Sequence, residues 1–263
     1  MIDAHTHLTS AAFDADRAQV LARARAAGVT RIALVGQDAE ENRAVLAAAA
    51  AEPAFLPFLG LHPDRFADRA PAVSPREIDT VAEMIAREAP HITGIGEVGL
   101  DHWVCQLPER RALQHEAFAR LVVLAQELAL PLNVHSRSAG RHAIDLLLAY
   151  GARRVLMHAF DGKAAYALRG AEAGFVFSIP PSVVRSPQKQ KLIRALPLHA
   201  LALETDSPVL GPTREERNEP ANARIAAAAI AQIKGLPEQA VHDLTDENIC
   251  RVFGLSAAVA ARA

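Results

Sequence analysis

Short apolar runs and helical patterns alternate eight times along this chain, and that rhythm constrains its fold more than any other feature. The runs are IDAHTHL (2–8), RIALVG (31–36), FLPFLGLH (55–62), HITGIGEVG (91–99), PLNVHS (131–136), RVLMHAF (154–160), GFVFSI (174–179) and LALETD (201–206). Between them lie amphipathic segments such as ADRAQVLARARAAG, SPREIDTVAEMIAREAP and QHEAFARLVVLAQELAL. Strand followed by helix, repeated to this count, predicts an α/β protein of the (β/α)8 TIM-barrel type. After the last run, ANARIAAAAIAQIKGL is helical and leads into two short helices, PEQAVHDL and DENICRVFGL.

A length of 263 residues suits one such barrel, and no Gly/Ser linker, charge block or low-complexity run divides it, so residues 1–263 are expected to form a single domain. Apolar residues make up 51% of the chain but aromatics only 5%, so the core must be built from Ala, Leu, Val and Ile. The segment LVVLAQELALPL is interrupted by Gln126, Glu127 and Pro131 and is not expected to span a membrane. Cys105 and Cys250 are too few for a disulfide scaffold and lack metal-binding spacing, which suits a reducing cytoplasm. A net charge of −2 argues against a general electrostatic grip on nucleic acid, but not against a metal-assisted grip on one end of a polymer. A closed barrel leaves no strand edge free, so a monomer with no obligate protein partner is expected.

The polar residues at the ends of the runs carry the functional signal. His5 and His7 close the first run and, two residues apart in a strand, point the same way. His62 closes the third and Glu97 the fourth; His135, His158 and Asp206 close the fifth, sixth and eighth. In a barrel these ends converge on one face, where catalytic groups gather.

Four imidazoles and two carboxylates exceed one tetrahedral site with an open position and suit two ions sharing a ligand. Glu97 is the candidate bridge, because a carboxylate offers two oxygens and its strand lies between the first and fifth. His5, His7 and Asp206 would complete one site, since the first and eighth strands adjoin in a closed barrel. His135 and His158, on adjoining strands, would hold the other. Mixed N/O ligation without thiolate fits Zn, Mn, Co or Ni, and Mg less comfortably. Two such ions polarise a substrate oxygen and acidify a water, which predicts hydrolysis of a phosphoester or amide-like bond. Asp206 could also take the proton of the attacking water.

The chain resembles the TatD-related deoxyribonucleases within the metal-dependent amidohydrolase barrels. DAHTHL (3–8), GLHP (60–63), GEVGLD (96–101), LPLNVHSRSA (130–139), LMHAF (156–160), ETDSPVL (204–210), NEP (218–220) and NICRVFGL (248–255) carry the likeness in this order, over nearly the whole chain. The resemblance implies a barrel of the metallo-dependent hydrolase type. It also implies a divalent-metal phosphodiesterase acting on DNA, single-stranded or at 3′ ends, often as a 3′-to-5′ exonuclease. Glu97 matches the shared metal ligand, Asp206 the acid that both binds metal and serves as base, and His62 a residue near the substrate phosphate. Three loops depart from the family pattern. Ser138 replaces an acid, Ala159 and Asp161 replace the Cys and Ser of HCFSG, and His102-Trp103 follows GLD.

Outside the ligand set, Arg137 could clamp a phosphate with its planar fork, and Trp103 could stack on a terminal base. The run RSPQKQKLIR (185–194) has four cations and no acid, and Arg185 and Lys189, one helical turn apart, could face a phosphate chain together. Glu204 and Asp3, each two residues before a candidate ligand, are placed to order a ligand histidine, with Asp101 a more distant candidate. Two rival functions have their own signatures. Many enzymes hydrolysing small amides, lactones or phosphotriesters on this fold bridge their metals with a modified lysine on the fourth strand, where this chain offers Glu97. A scaffold protein has no need of ligand-type residues at successive strand ends.

Overall fold

All eight apolar runs form strands, and each pairs in parallel with the next in sequence. The computed structural model describes residues 1–71 and 73–255; residue 72 and residues 256–263, which the single-domain expectation also covers, lie outside the described residues. The strands are β1 (Ile2–Thr6), β2 (Arg31–Val35), β3 (Phe55–Leu59), β4 (Gly94–Gly99), β5 (Leu132–His135), β6 (Val155–Met157), β7 (Val176–Ile179) and β8 (Leu201–Leu203). Their order in the sheet is the order of the chain. The seam between β8 and β1 is drawn together by two backbone hydrogen bonds at its upper end, Asp206 N to His5 O (2.9 Å) and His7 N to Ser207 O (2.8 Å). Below them the Asp3 carboxylate accepts from Thr205 N (2.8 Å) and Thr205 Oγ1 (2.6 Å). The result is a (β/α)8 barrel, as the periodicity predicts.

Around the strands run α1 (Arg17–Ala26), α2 (Ala39–Ala51), α3 (Pro75–Glu88), α4 (Pro108–Glu127), α5 (Gly140–Ala149), α6 (Ala164–Glu172), α7 (Pro187–Ala195) and α8 (Ala223–Lys234). Local sequence sets several of their starts. Asp38 accepts from Glu40 N and Glu41 N to open α2, and Ser74, followed by Pro75, accepts from Glu77 N to open α3. A last helix, α9 (Glu238–Phe253), replaces the two short helices expected from the sequence. Thr245 does not break it, because its hydroxyl turns back to Val241 O at 2.8 Å.

Two apolar layers follow from this arrangement. The larger lies between the sheet and the surrounding helices. The smaller fills the barrel itself, where Ile2, Ala4, Val35, Phe58, Leu156 and Val176 point inward, and Ile249, Val252 and Phe253 of α9 join them. The Phe253 ring lies 4.7 Å from that of Phe58, so α9 caps the end of the barrel opposite the strand C-termini. The site is thereby confined to the other end. Among the described residues no helix is long and apolar enough to cross a membrane.

Candidate metal centre

The strands end slightly earlier than their apolar runs, and this decides how the site is built. His5 lies within β1, Glu97 within β4, and His135 is the last residue of β5. His7, His62, His158 and Asp206 stand just beyond their strands, where the backbone leaves the ladder and side chains can turn over the barrel mouth. Asp206 adopts φ 55°, a left-handed conformation uncommon for a residue with a Cβ and frequent at functional sites. Close backbone approach at the rim requires glycine at two positions. A Cβ on Gly60 would fall 2.4 Å from Glu97 O, and one on Gly99, at φ 144°, would fall 2.1 Å from His135 O.

Glu97 is the hub. Its Oε1 faces three imidazoles, at 2.7 Å from His135 Nδ1 and 3.2 Å from both His62 Nε2 and His158 Nε2. Its Oε2 faces the other two, at 3.3 Å from His7 Nε2 and 3.4 Å from His5 Nε2. Asp206 Oδ1 stands on that second side, 3.4 Å from His7 Nε2 and 3.6 Å from His5 Nε2. The rings of His5 and His158 stack with centroids 3.7 Å apart, so the two halves of the site touch.

Several residues orient this set from behind. Asn133 presents Oδ1 to His5 Nδ1 at 2.8 Å while its Nδ2 donates to Ala4 O at 2.9 Å. Asp101 Oδ2 lies 3.1 Å from His135 Nε2, and its Oδ1 accepts from Trp103 N and Val104 N. Glu204 Oε2 lies 3.3 Å from His158 Nδ1 and accepts from Ser178 Oγ at 2.6 Å; its other oxygen accepts from Ala159 N. Asp64 Oδ1 lies 2.7 Å from His62 Nδ1. Glu204 therefore stands where the sequence reading put it. Asp3 does not, since its side chain is spent on Thr205, and Asp101 is nearer a ligand ring than expected. Asn133 escaped the sequence reading, although it precedes His135 by two residues, as Asp3 precedes His5.

Burial drives the electrostatics, and the carboxylates oppose it. Burial alone would lower the pKa of His7, but the carboxylates of Asp206 and Glu97 outweigh it and raise the value to about 9. His62 is likewise depressed by burial yet lifted to about 10 by Glu97 and Asp64. His158 rises above its ordinary range through Glu204 and Glu97, whereas burial and the neighbouring His158 push His5 down. Burial would raise the pKa of Glu97 and of Asp206. The surrounding imidazoles reverse it in both, so both stay ionised at neutral pH.

The donor set fits divalent cations. Three groups bring their ligand atoms within 4.8 Å of one another: His5, His7 and Glu97; His5, His158 and Asp206; and His62, Glu97 and His135. Glu97 Oε2 and His7 Nδ1 are buried without a hydrogen-bond partner. A buried anionic oxygen facing only imidazole nitrogens is costly unless a cation shares it. His62, expected near the substrate, belongs to one of these groups.

A cavity of about 630 Å³ opens above the cluster, lined in part by Glu41, His62, Arg137, Lys189 and Asp206. Lys189 Nζ donates to Ala159 O at 3.1 Å, facing the cavity. Arg185 does not face it. The residue belongs to a separate turn, Pro181–Arg185, and its Nε bonds to Gly211 O, so it and Lys189 do not share a helix face. Trp103 is 61% exposed beside the rim, with the Arg137 guanidinium 5.1 Å from its ring centroid. Glu41, half-buried at the start of α2, went unnoticed in the sequence because its run of alanines reads only as a helix.

Barrels that gather histidines and acids at the C-terminal ends of their strands in this way are metal-dependent hydrolases, and this chain is one. It belongs to the TatD related DNase family, whose profile matches residues 2–254. Human deoxyribonuclease TATDN3 is 41% identical over 258 residues, which cover 96% of this chain and 94% of the human protein. The 3′-5′ ssDNA/RNA exonuclease TatD of Klebsiella pneumoniae is 31% identical over 267 residues, covering 97% and 98% of the two chains. Among solved structures, the TatD homologue YJJV of Escherichia coli superposes with a TM-score of 0.87 at 25% identity, again over 97% and 98% of the chains.

Proposed function

We propose that this protein hydrolyses phosphodiester bonds of DNA, removing nucleotides from the 3′ end with the help of two divalent ions. The observation that carries the reading is the division of Glu97: one oxygen faces His5 and His7, the other His62, His135 and His158. A carboxylate so placed suits two adjacent cations better than one. The names borne by the human and Klebsiella relatives supply the substrate class.

In this reading His5, His7, Glu97 and Asp206 hold one ion, and Glu97, His135 and His158 hold the other. When bound, such ions offset charge on the non-bridging phosphate oxygens and acidify a water. The chain's own groups do the rest. Asp206, ionised and at the cavity wall, accepts the proton of the attacking water on a carboxylate oxygen. His62, held by Asp64 on one side and with Nε2 turned to Glu97 on the other, lines the cavity beside the phosphate. Arg137 and Lys189 add positive charge around the phosphate, and Trp103 offers a face for the terminal base.

The test is hydrolysis, with added Mn²⁺, of a 3′-labelled oligonucleotide beside a panel of lactones, amides and phosphotriesters. Release of the labelled terminal nucleotide in the first step is expected, followed by shortening of the unlabelled remainder. Turnover of the panel with the DNA left intact would overturn the proposal in favour of a small-molecule hydrolase.

A further inference from the structure

Past Asp161 the catalytic cavity gives way to a second groove of about 690 Å³, for which the reaction as described has no use. Asp161 lines both, and its Oδ2 accepts from Ser138 N at 2.7 Å, which pins the loops after β5 and β6 together at the boundary. Both residues are among the departures from the family pattern. The groove runs between the starts of α5 and α6, and its walls carry Arg141, His142, Lys163 and Lys191 around the ring of Tyr166. Lys163 and Lys191 are exposed and form no ion pair among the described residues. Arg141 is held by Asp145 at 3.3 Å with its guanidinium 5.8 Å from the Tyr166 ring centroid. On a chain whose net charge is −2, this is a local excess of positive charge contiguous with the reaction site. Neither helix start has a side-chain cap; Gly140 N donates to Asp161 O and Tyr166 N to Lys163 O, and the remaining N–H groups of the two first turns add to the same sign of potential.

We propose that this groove holds the phosphates of the DNA strand upstream of the bond being cut, with Lys163 and Lys191 as the principal contacts and Tyr166 as a stacking face. The inference rests on the nuclease reading for its direction. The catalytic cavity takes the 3′-terminal nucleotide, and the strand that remains must leave in a direction that accepts several negative charges. The two cations recognise a repeating phosphate chain without reading its bases. A dinucleotide has no phosphate upstream of the bond being cut and so offers these lysines nothing to hold.

The test compares wild type with the Lys163→Glu/Lys191→Glu variant, and with Lys163→Arg/Lys191→Arg as the charge-preserving control. Hydrolysis of a dodecanucleotide and of a dinucleotide is followed, together with anisotropy of a 5′-fluorescein dodecamer in EDTA. The charge reversal should raise KM and Kd for the dodecamer about tenfold or more, and lower the slope of log Kd against log salt by about 1.4. Turnover of the dinucleotide and kcat should stay as in wild type, and the arginine control should bind normally. Equal affinity of wild type and the glutamate variant for the dodecamer overturns the groove, as does an equal loss on both substrates. Wild type that binds the dodecamer through these lysines but cuts neither substrate keeps the groove and refutes the nuclease reading instead.

Discussion

Asn133 Oδ1 meets His5 Nδ1 at 2.8 Å, fixing from β5 the orientation of an imidazole that belongs to β1. Because Asn133 Nδ2 is committed to Ala4 O, its carbonyl must face the ring. His5 then carries its proton on Nδ1, which leaves the Nε2 lone pair directed at Glu97 and Asp206. Replacing Asn133 with Leu keeps the volume and removes the acceptor. Outer partners of this kind are worth roughly 10–100-fold in metal affinity. Calorimetric titration of Asn133→Leu with Mn²⁺ should show a loss of that order, and unchanged affinity would refute the orienting role.

Glu97 and His158 should differ in how completely their loss is felt. Glu97 faces five imidazoles through its two oxygens, whereas His158 offers the cluster a single nitrogen, Nε2, 3.2 Å from Glu97 Oε1; in the proposed arrangement it serves one ion only. Glu97→Ala is expected to abolish hydrolysis at any metal concentration. His158→Ala should retain a weakened site that excess Mn²⁺ refills in part by mass action. Metal titrations of both variants, following nucleotide release, give the comparison. A Glu97 variant rescued at low metal beside an unrescuable His158 variant would sink the bridging assignment.

The candidate ligands were legible in the sequence because each closes an apolar run. His5, His7, Glu97 and His135 stand at strand ends that meet on one rim, and the eight strands followed from periodicity. What joins residues far apart in the chain was not legible. Asn133 reaches His5 across 128 positions, and nothing local to PLNVHS says which ring it will meet. The commitment of Asp3 to Thr205 depends on how the seam closes, a tertiary event. Arg185 does not join Lys189 at the cavity, and the reason is local. Ser186 accepts from Lys189 N and starts a new helix between them, so the spacing of one continuous helix does not apply.

His102, outside the ligand set, should make stability fall with acid. Burial, aided by Arg111 and His142, lowers its pKa to about 4 in the folded chain, against an ordinary value of 6.5. Between those values the unfolded chain takes up a proton that the folded chain refuses. Its contribution is therefore fully present above pH 6.5 and is lost progressively as pH falls towards 4. Urea midpoints measured at pH 7.5 and pH 4.5 should fall less for His102→Gln than for wild type, about as the removal of one titrating group requires. Parallel declines would rule out the effect.

The seam between β8 and β1 gives the fold a fastener. Its ladder there is short: two backbone bonds, the Asp3–Thr205 pair and a bond from Thr6 Oγ1 to Ser207 O at 3.4 Å. His5 stands on one side of it and Asp206 on the other, so an ion shared by the two would tie the first strand to the last and turn the intervening chain into a closed ring. Ring closure over so long a stretch restricts the unfolded chain strongly, as a cross-link between distant residues does. Occupancy of the centre would then govern the order of unravelling as well as reactivity. Starved of metal, the barrel should part first between Thr6 and Thr205, with amide exchange at His7 and Asp206 quickening before that of β4 and β5.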